Sequence, residues 1–228
     1  MRVGGIDVGG VRKGCHLVIL DGRNVMLSTR STDPEVLAQH CDQHKVEIVG
    51  VDAPCRWSVE GQGRMAEKEL ARERIFCFST PTAERATSDP KGFYGWMLNG
   101  HRMYEALADR YPLTTDGKHA GVPASFETFP HAIACALLGK DVASAKKKRL
   151  QRRALLEAVG IDTTPLGSID ALDAALCALA AQLLLLNATR TFGDTAGGHI
   201  VIPKIDLAGV QKLFDERSAG SATGSVLS

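Results

Sequence analysis

The sequence predicts a mixed α/β fold: a five-stranded sheet of order 3-2-1-4-5, flanked by helices, with a partly helical insertion after strand four. Three observations predict it. Apolar runs at 2–7, 15–20 and 24–29 are joined by short glycine-containing links, the pattern of an antiparallel meander. A helix-forming stretch then leads to a fourth apolar run at 46–52, and a link of that length favours a parallel return beside the first strand. After a short fifth strand at 124–128, the chain turns mainly helical.

The elements follow in order. Gly9-Gly10 stops the first strand, and Asp21-Gly22-Arg23 turns the second into the third. Thr32 or Asp33 caps the first helix, Pro34 suits its first turn, and Glu35 favours its dipole. Residues 54–120 are punctuated by Pro81, Pro90, Pro112 and several glycines. Helical stretches at 65–74 and 93–111 make this region an insertion or lid over one end of the sheet. Helices are predicted over 130–138, 144–159 and 167–188; in the second, Leu150, Ala154, Leu155 and Ala158 form an apolar face. Residues 199–202 add an edge strand that Pro203 ends. The main domain then spans 1–205. A C-terminal helix and a flexible tail occupy 206–228, with disorder expected from Ser218.

A length of 228 residues suffices for one large α/β domain. The formal net charge of +1 selects neither a nucleic acid nor a membrane, so any basic surface is local. Six scattered cysteines with no Cys-x-x-Cys pair are unlike a secreted disulfide framework. No signal-peptide pattern opens the chain, and the most apolar stretch, 174–186, is too short for a bilayer and contains Gln182. A cytoplasmic, reduced protein without a membrane partner is the expectation.

The chemistry concentrates in acids. Asp7 lies in Gly5-Ile6-Asp7-Val8-Gly9-Gly10, Asp52 in Val51-Asp52-Ala53-Pro54, and Glu127 in Phe126-Glu127-Thr128-Phe129. Asp170 and Asp173, three residues apart, share a face at the start of the long apolar helix. Parallel pairing of strands one and four puts Asp7 and Asp52 at one sheet edge, and strand five adds Glu127. Acids in such apolar settings are costly unless paired or bound to metal. Mg²⁺ or Mn²⁺ relieves the repulsion among converging carboxylates and supports phosphodiester hydrolysis. Plainer explanations exist: Asp7 and Asp52 can end strands, Glu127 can cap a helix or pair with an arginine, and Asp170 suits a helix start. Asp173, surrounded by apolar residues, is hardest to explain without function.

Together with Glu67-Lys68-Glu69-Leu70-Ala71-Arg72, these segments resemble the domain-of-unknown-function 429 family over about residues 1–205, in the family's order. Its members are predicted ribonuclease H-like nucleases, and the strand pattern read above is that arrangement. Asp170-Ala171-Leu172-Asp173-Ala174 also resembles the end of the Holliday-junction resolvase active site, which shares the fold. The resemblance implies a metal-dependent nuclease in which Asp7, Asp52 and Asp173 ligate the ions. Asp170 is then a further ligand candidate and Glu127 a further catalytic candidate. One departure is Val8-Gly9-Gly10, where family members often carry a cysteine or an aromatic residue.

Nucleic acid, DNA or RNA, is the expected partner, and a homodimer is left open. Candidate substrate contacts are Arg72 in the insertion, and Lys147 and Arg152 in residues 146–153, where six of eight residues are cationic. The plainer reading of these residues is a solvated helix face with surface ion pairs. Phe93, Tyr94 and Trp96 either stack bases or form the insertion's own small core. Two other functions fit the pattern. One is an actin-like ATP-dependent phosphotransferase, with the glycines around Asp7 as a phosphate loop, although no second such loop follows. The other is a non-catalytic binding protein on the same fold.

Overall fold

The computed structural model describes residues 1–223. Three strands open the chain: β1 (Arg2–Val8), β2 (Cys15–Asp21) and β3 (Asn24–Ser31). Helix α1 (Pro34–Gln43) follows, its N-terminus capped by Asp33, and leads to β4 (Ile48–Asp52). The insertion contributes α2 (Met65–Arg72), α3 (Ala83–Thr87) and α4 (Gly95–Leu107). Then come β5 (Ala124–Glu127), α5 (Pro130–Leu138), α6 (Lys148–Ala158) and α7 (Ile169–Leu185). The chain ends with β6 (Thr189–Asp194), β7 (Gly198–Pro203) and α8 (Leu207–Thr223). Helix α8 thus continues past Ser218, where the flexible tail was expected to begin, and residues 224–228 of that tail lie outside the described residues.

The strands form one seven-stranded sheet of order β3-β2-β1-β4-β5-β7-β6. The predicted order 3-2-1-4-5 stands within it, and the arrangement is ribonuclease H-like. β1, β2 and β3 pair antiparallel, whereas β4 runs parallel to both β1 and β5. The strand count is corrected from five to seven. β7 is not an edge strand, because β6 pairs outside it. In β6 only Phe192 is buried, so its sequence carries little hydrophobic signal.

Side-chain alternation divides the core between two faces. Val3, Val18, Ile48 and Phe126 point to one face and pack beneath α5, α6 and α7. Ile6, Leu17, Val49 and Val51 point to the other, beneath α1 and α4. Helix α7 is buried all round from 171 to 184, as its uniformly apolar sequence requires. Helix α4 of the insertion belongs to the second core through Met103, Tyr104 and Leu107.

Helix α6 corrects one expectation. Its buried residues are Arg152, Leu155 and Leu156, whereas Leu150 is 72% exposed and Ala154 and Ala158 face solvent. Two apolar faces of helical period were available, and the second offers larger aliphatic side chains to α7. Among the described residues, no helix is long and apolar enough to cross a membrane.

Candidate active site

The parallel pairing of β1 with β4 sets Asp7 directly beside Asp52. Both carboxylates project to the α7 face. On β1 they follow the parity of Val3 and Gly5, and on β4 that of Ile48 and Gly50. A Cβ on Gly5 would lie 2.0 Å from the Ala174 carbonyl oxygen and 2.2 Å from the Ala178 nitrogen. One on Gly50 would lie 2.7 Å from the Cys177 carbonyl oxygen. Bare backbone at both positions lets α7 rest on the sheet itself. The first turns of α7, capped by Ser168 Oγ accepting from Ala171 N at 3.0 Å, then carry Asp170 and Asp173 to the two strand acids.

The acids perturb one another. Burial, then the charges of Asp173 and Asp170, push the Asp7 carboxyl up to about 7. Asp52 is raised well above the ordinary carboxylate range by burial, then by Asp7 and Asp173. Burial pushes Asp173 up to about 6, although Arg152 and Lys148 pull against it. Two cations offset the cluster. Lys13 Nζ lies 2.7 Å from Asp170 Oδ1, and Arg152 Nη1 donates to Asp173 Oδ1.

This donor set is all-oxygen, anionic and self-repelling, the ligand chemistry that hard divalent cations take. Its side chains are arranged for ion pairing: among the described residues, no three His, Cys, Asp or Glu side chains form a group that could hold a metal ion. Asp173 is engaged with Arg152, and Asp170 with Lys13.

Glu127 reaches the same sheet edge but the opposite face. It shares the parity of Ser125, whereas Ala124 and Phe126 pack toward α7. Both its oxygens are engaged. Arg64 Nη2 donates to Oε1 at 2.6 Å, Arg64 Nη1 to Oε2 at 2.7 Å, and Cys55 N to Oε2 at 2.8 Å. Arg64, the N-cap residue of α2, also donates through Nε to Glu67 at 2.9 Å, and Glu67 accepts from Thr80 N. This buried network ties the turn after Asp52 to the insertion. Sequence reading missed Arg64; its only signal is a cation opening a helix, three residues before Glu67.

The expected substrate contacts fall differently. Arg152 is buried against Asp173 and does not face solvent. Lys147 is exposed in a short 3-10 turn (Ala145–Lys147), and its neighbour Lys148 is the one whose charge reaches Asp173. Arg149 and Arg153 donate to the carbonyls of Gly167 and Leu166, both at 2.8 Å, so they brace the loop before α7. Arg72 is exposed at the end of α2, about 12 Å along the axis from Arg64 at the helical rise.

The insertion fixes the backbone beside both strand acids. Asn99 Nδ2 donates to the Gly9 carbonyl at 2.9 Å, and Tyr104 Oη donates to the Ala53 carbonyl at 3.1 Å. The glycine loop after Asp7 closes on itself. Gly9 N bonds Gly14 O at 3.0 Å, while Lys13 N and Gly14 N both bond Gly10 O at 2.9 Å. Those N–H groups are therefore not turned outward to cradle a phosphate. Phe93 is 57% exposed and forms no core of the insertion.

The solved structure titled "Thermus thermophilus RuvC structure" is similar to this chain, with a TM-score of 0.44 and 18% identity over 82% of this chain and 97% of that one. No curated protein sequence matches significantly. The model of the family described as "Protein of unknown function (DUF429)" matches residues 5–196, and the chain belongs to that family.

Proposed function

We propose that the protein is a metal-dependent phosphodiesterase that acts on nucleic acid. The observation that carries this reading is the placement of Asp7 beside Asp52 at one sheet edge, where burial raises both carboxyls and that of Asp173, and the charge of Asp173 raises the two strand acids further. Proteins concentrate such perturbed groups where they use them. Asp7, Asp52 and Asp173 would hold Mg²⁺ or Mn²⁺, with Asp170 as a further ligand. Such an ion supplies an activated water and offsets charge on the phosphate.

The other residues prepare the acids. Arg152 and Lys13 offset two carboxylates and compete with an ion for them. Glu127 acts from the opposite face, holding Cys55 N and so the turn that follows Asp52. Lys147, Lys148 and Arg72 remain available to the phosphate backbone.

The test is cleavage of end-labelled oligonucleotides. Cleavage is expected in Mg²⁺ or Mn²⁺, stopped by EDTA and reduced at least about a hundredfold in Asp7→Asn, as for loss of a charge-stabilising catalytic group. Cleavage that persists in EDTA, or that Asp7→Asn supports at the wild-type rate, overturns the reading.

A further inference from the structure

The insertion displays aromatic rings near the end of β4, where Asp52 stands. Phe76, Phe78 and Phe93 are 70%, 63% and 57% exposed, and Tyr94 and Trp96 are half-buried. The Phe78 ring centre lies 6.0 Å from that of Phe93 and 6.1 Å from that of Trp96. Planes tilted by 75° and 60° keep these rings from stacking face to face on one another. Rings left this exposed forgo much of the gain of burial.

The chain holds this cluster in place. Asp89 accepts backbone hydrogen bonds from Lys91, Phe93 and Tyr94, which builds the loop that presents Phe93. Beyond Phe78, Thr80 is buried and bonded through its N–H to Glu67 at 3.1 Å. The cluster also borders Asp52, which lines one cleft together with Phe78, Trp96 and Glu127. Cations accompany it: the Arg85 guanidinium lies 5.9 Å from the Tyr94 ring centre, and Lys91 is exposed in the same loop.

We propose that Phe78, Phe93 and Trp96 form a stacking platform for unpaired nucleobases, so that nucleic acid reaches the acids as a single strand. Stacking on exposed rings accepts any base and excludes duplex, whose bases are already stacked and shielded. Lys91 and Arg85 supply the backbone attraction that such grooves combine with aromatic faces. This inference rests on the reading of the acids as a phosphodiester site, and binding measured apart from cleavage separates the two.

The experiment follows fluorescence anisotropy of a short labelled single strand, and of the same strand in duplex, in EDTA to prevent cleavage. Wild type, Phe93→Ala and Phe78→Ala/Phe93→Ala are compared. Both rings are exposed, so thermal melting should change little and certifies folding. Wild type is expected to prefer the single strand, and each lost stack to weaken that binding at least about fivefold. Little change is expected for the duplex. Duplex preference in wild type, or full single-strand affinity in the folded double variant, overturns the platform. Platform-dependent binding by a protein that cleaves nothing upholds the platform and removes the phosphodiesterase reading. Metal-dependent cleavage with unchanged binding in the variants does the reverse.

Discussion

Gly5 on β1 and Gly50 on β4 are register partners, and the backbone of α7 passes directly over both. The approach requires that neither residue carry a side chain. It also sets how far α7 stands from the sheet, and so where Asp173 stands relative to Asp7 and Asp52. Architecture and site depend on the same two glycines.

Gly5→Ala therefore forces a methyl against the Ala174 carbonyl, and α7 has to lift. The expected cost is about 1–3 kcal/mol of stability, typical of overpacking. Any divalent-ion affinity should fall along with it. Urea unfolding and calorimetric Mn²⁺ titration of the variant check both. Gly4→Ala is the control, since its added Cβ would meet only side chains, at 3.4 Å or more.

Arg152→Gln removes the buried partner of Asp173. An uncompensated buried charge costs about 3–5 kcal/mol, so unfolding at pH 8 should show a loss of that order. The loss should shrink at pH 5, below the Asp173 value of about 6, where the carboxyl takes up a proton. A divalent ion should restore part of it by replacing the lost charge. An equal loss at both pH values contradicts the assignment.

Asp7→Asn tests the repulsion among the acids. A carboxyl raised from 3.8 to about 7 binds its proton more tightly when folded, so the metal-free protein loses stability from this group as pH rises through that window. The Asn variant lacks the penalty. Without metal, it should be more stable than wild type at pH 8, by on the order of 1–3 kcal/mol, with the difference vanishing near pH 4. Thermal melting of the pair across this range is the measurement.

Arg64→Lys keeps a charge but loses the planar fork that serves Glu127 and Glu67 at once. A lysine cannot make both pairings, and a buried carboxylate is left short of a donor. The expected destabilisation is about 2–4 kcal/mol, read by chemical denaturation. Proteolysis should show early opening of the insertion, because this network joins it to the sheet.

Several of these features were legible in the sequence. Acids that end or interrupt apolar runs marked Asp7 and Asp52, the lengths of the links gave the strand order that sets the two side by side, and the start of the long apolar helix marked Asp173. The face of Glu127 was not legible. Its parity depends on the register between β4 and β5, which hydrophobic pattern leaves open when Ser125 and Glu127 are themselves buried polar residues. The phase of α6 was hidden because a face through Leu150, Ala154 and Ala158 competes with one through Leu156, with Leu155 between them, and only contact with α7 selects the one carrying Arg152. β6 escaped because one buried phenylalanine among polar residues and a glycine does not mark a strand.

The proposed function requires that the carboxylates beneath α7 form a divalent-ion site. Mn²⁺ titration followed by electron paramagnetic resonance, on wild type and Asp52→Asn at neutral pH, tests it most directly. Saturable Mn²⁺ uptake by wild type, competed by Mg²⁺, is expected, with at least about a tenfold loss of affinity in Asp52→Asn. Wild type and Asp52→Asn binding Mn²⁺ equally, or neither binding it, would contradict the claim.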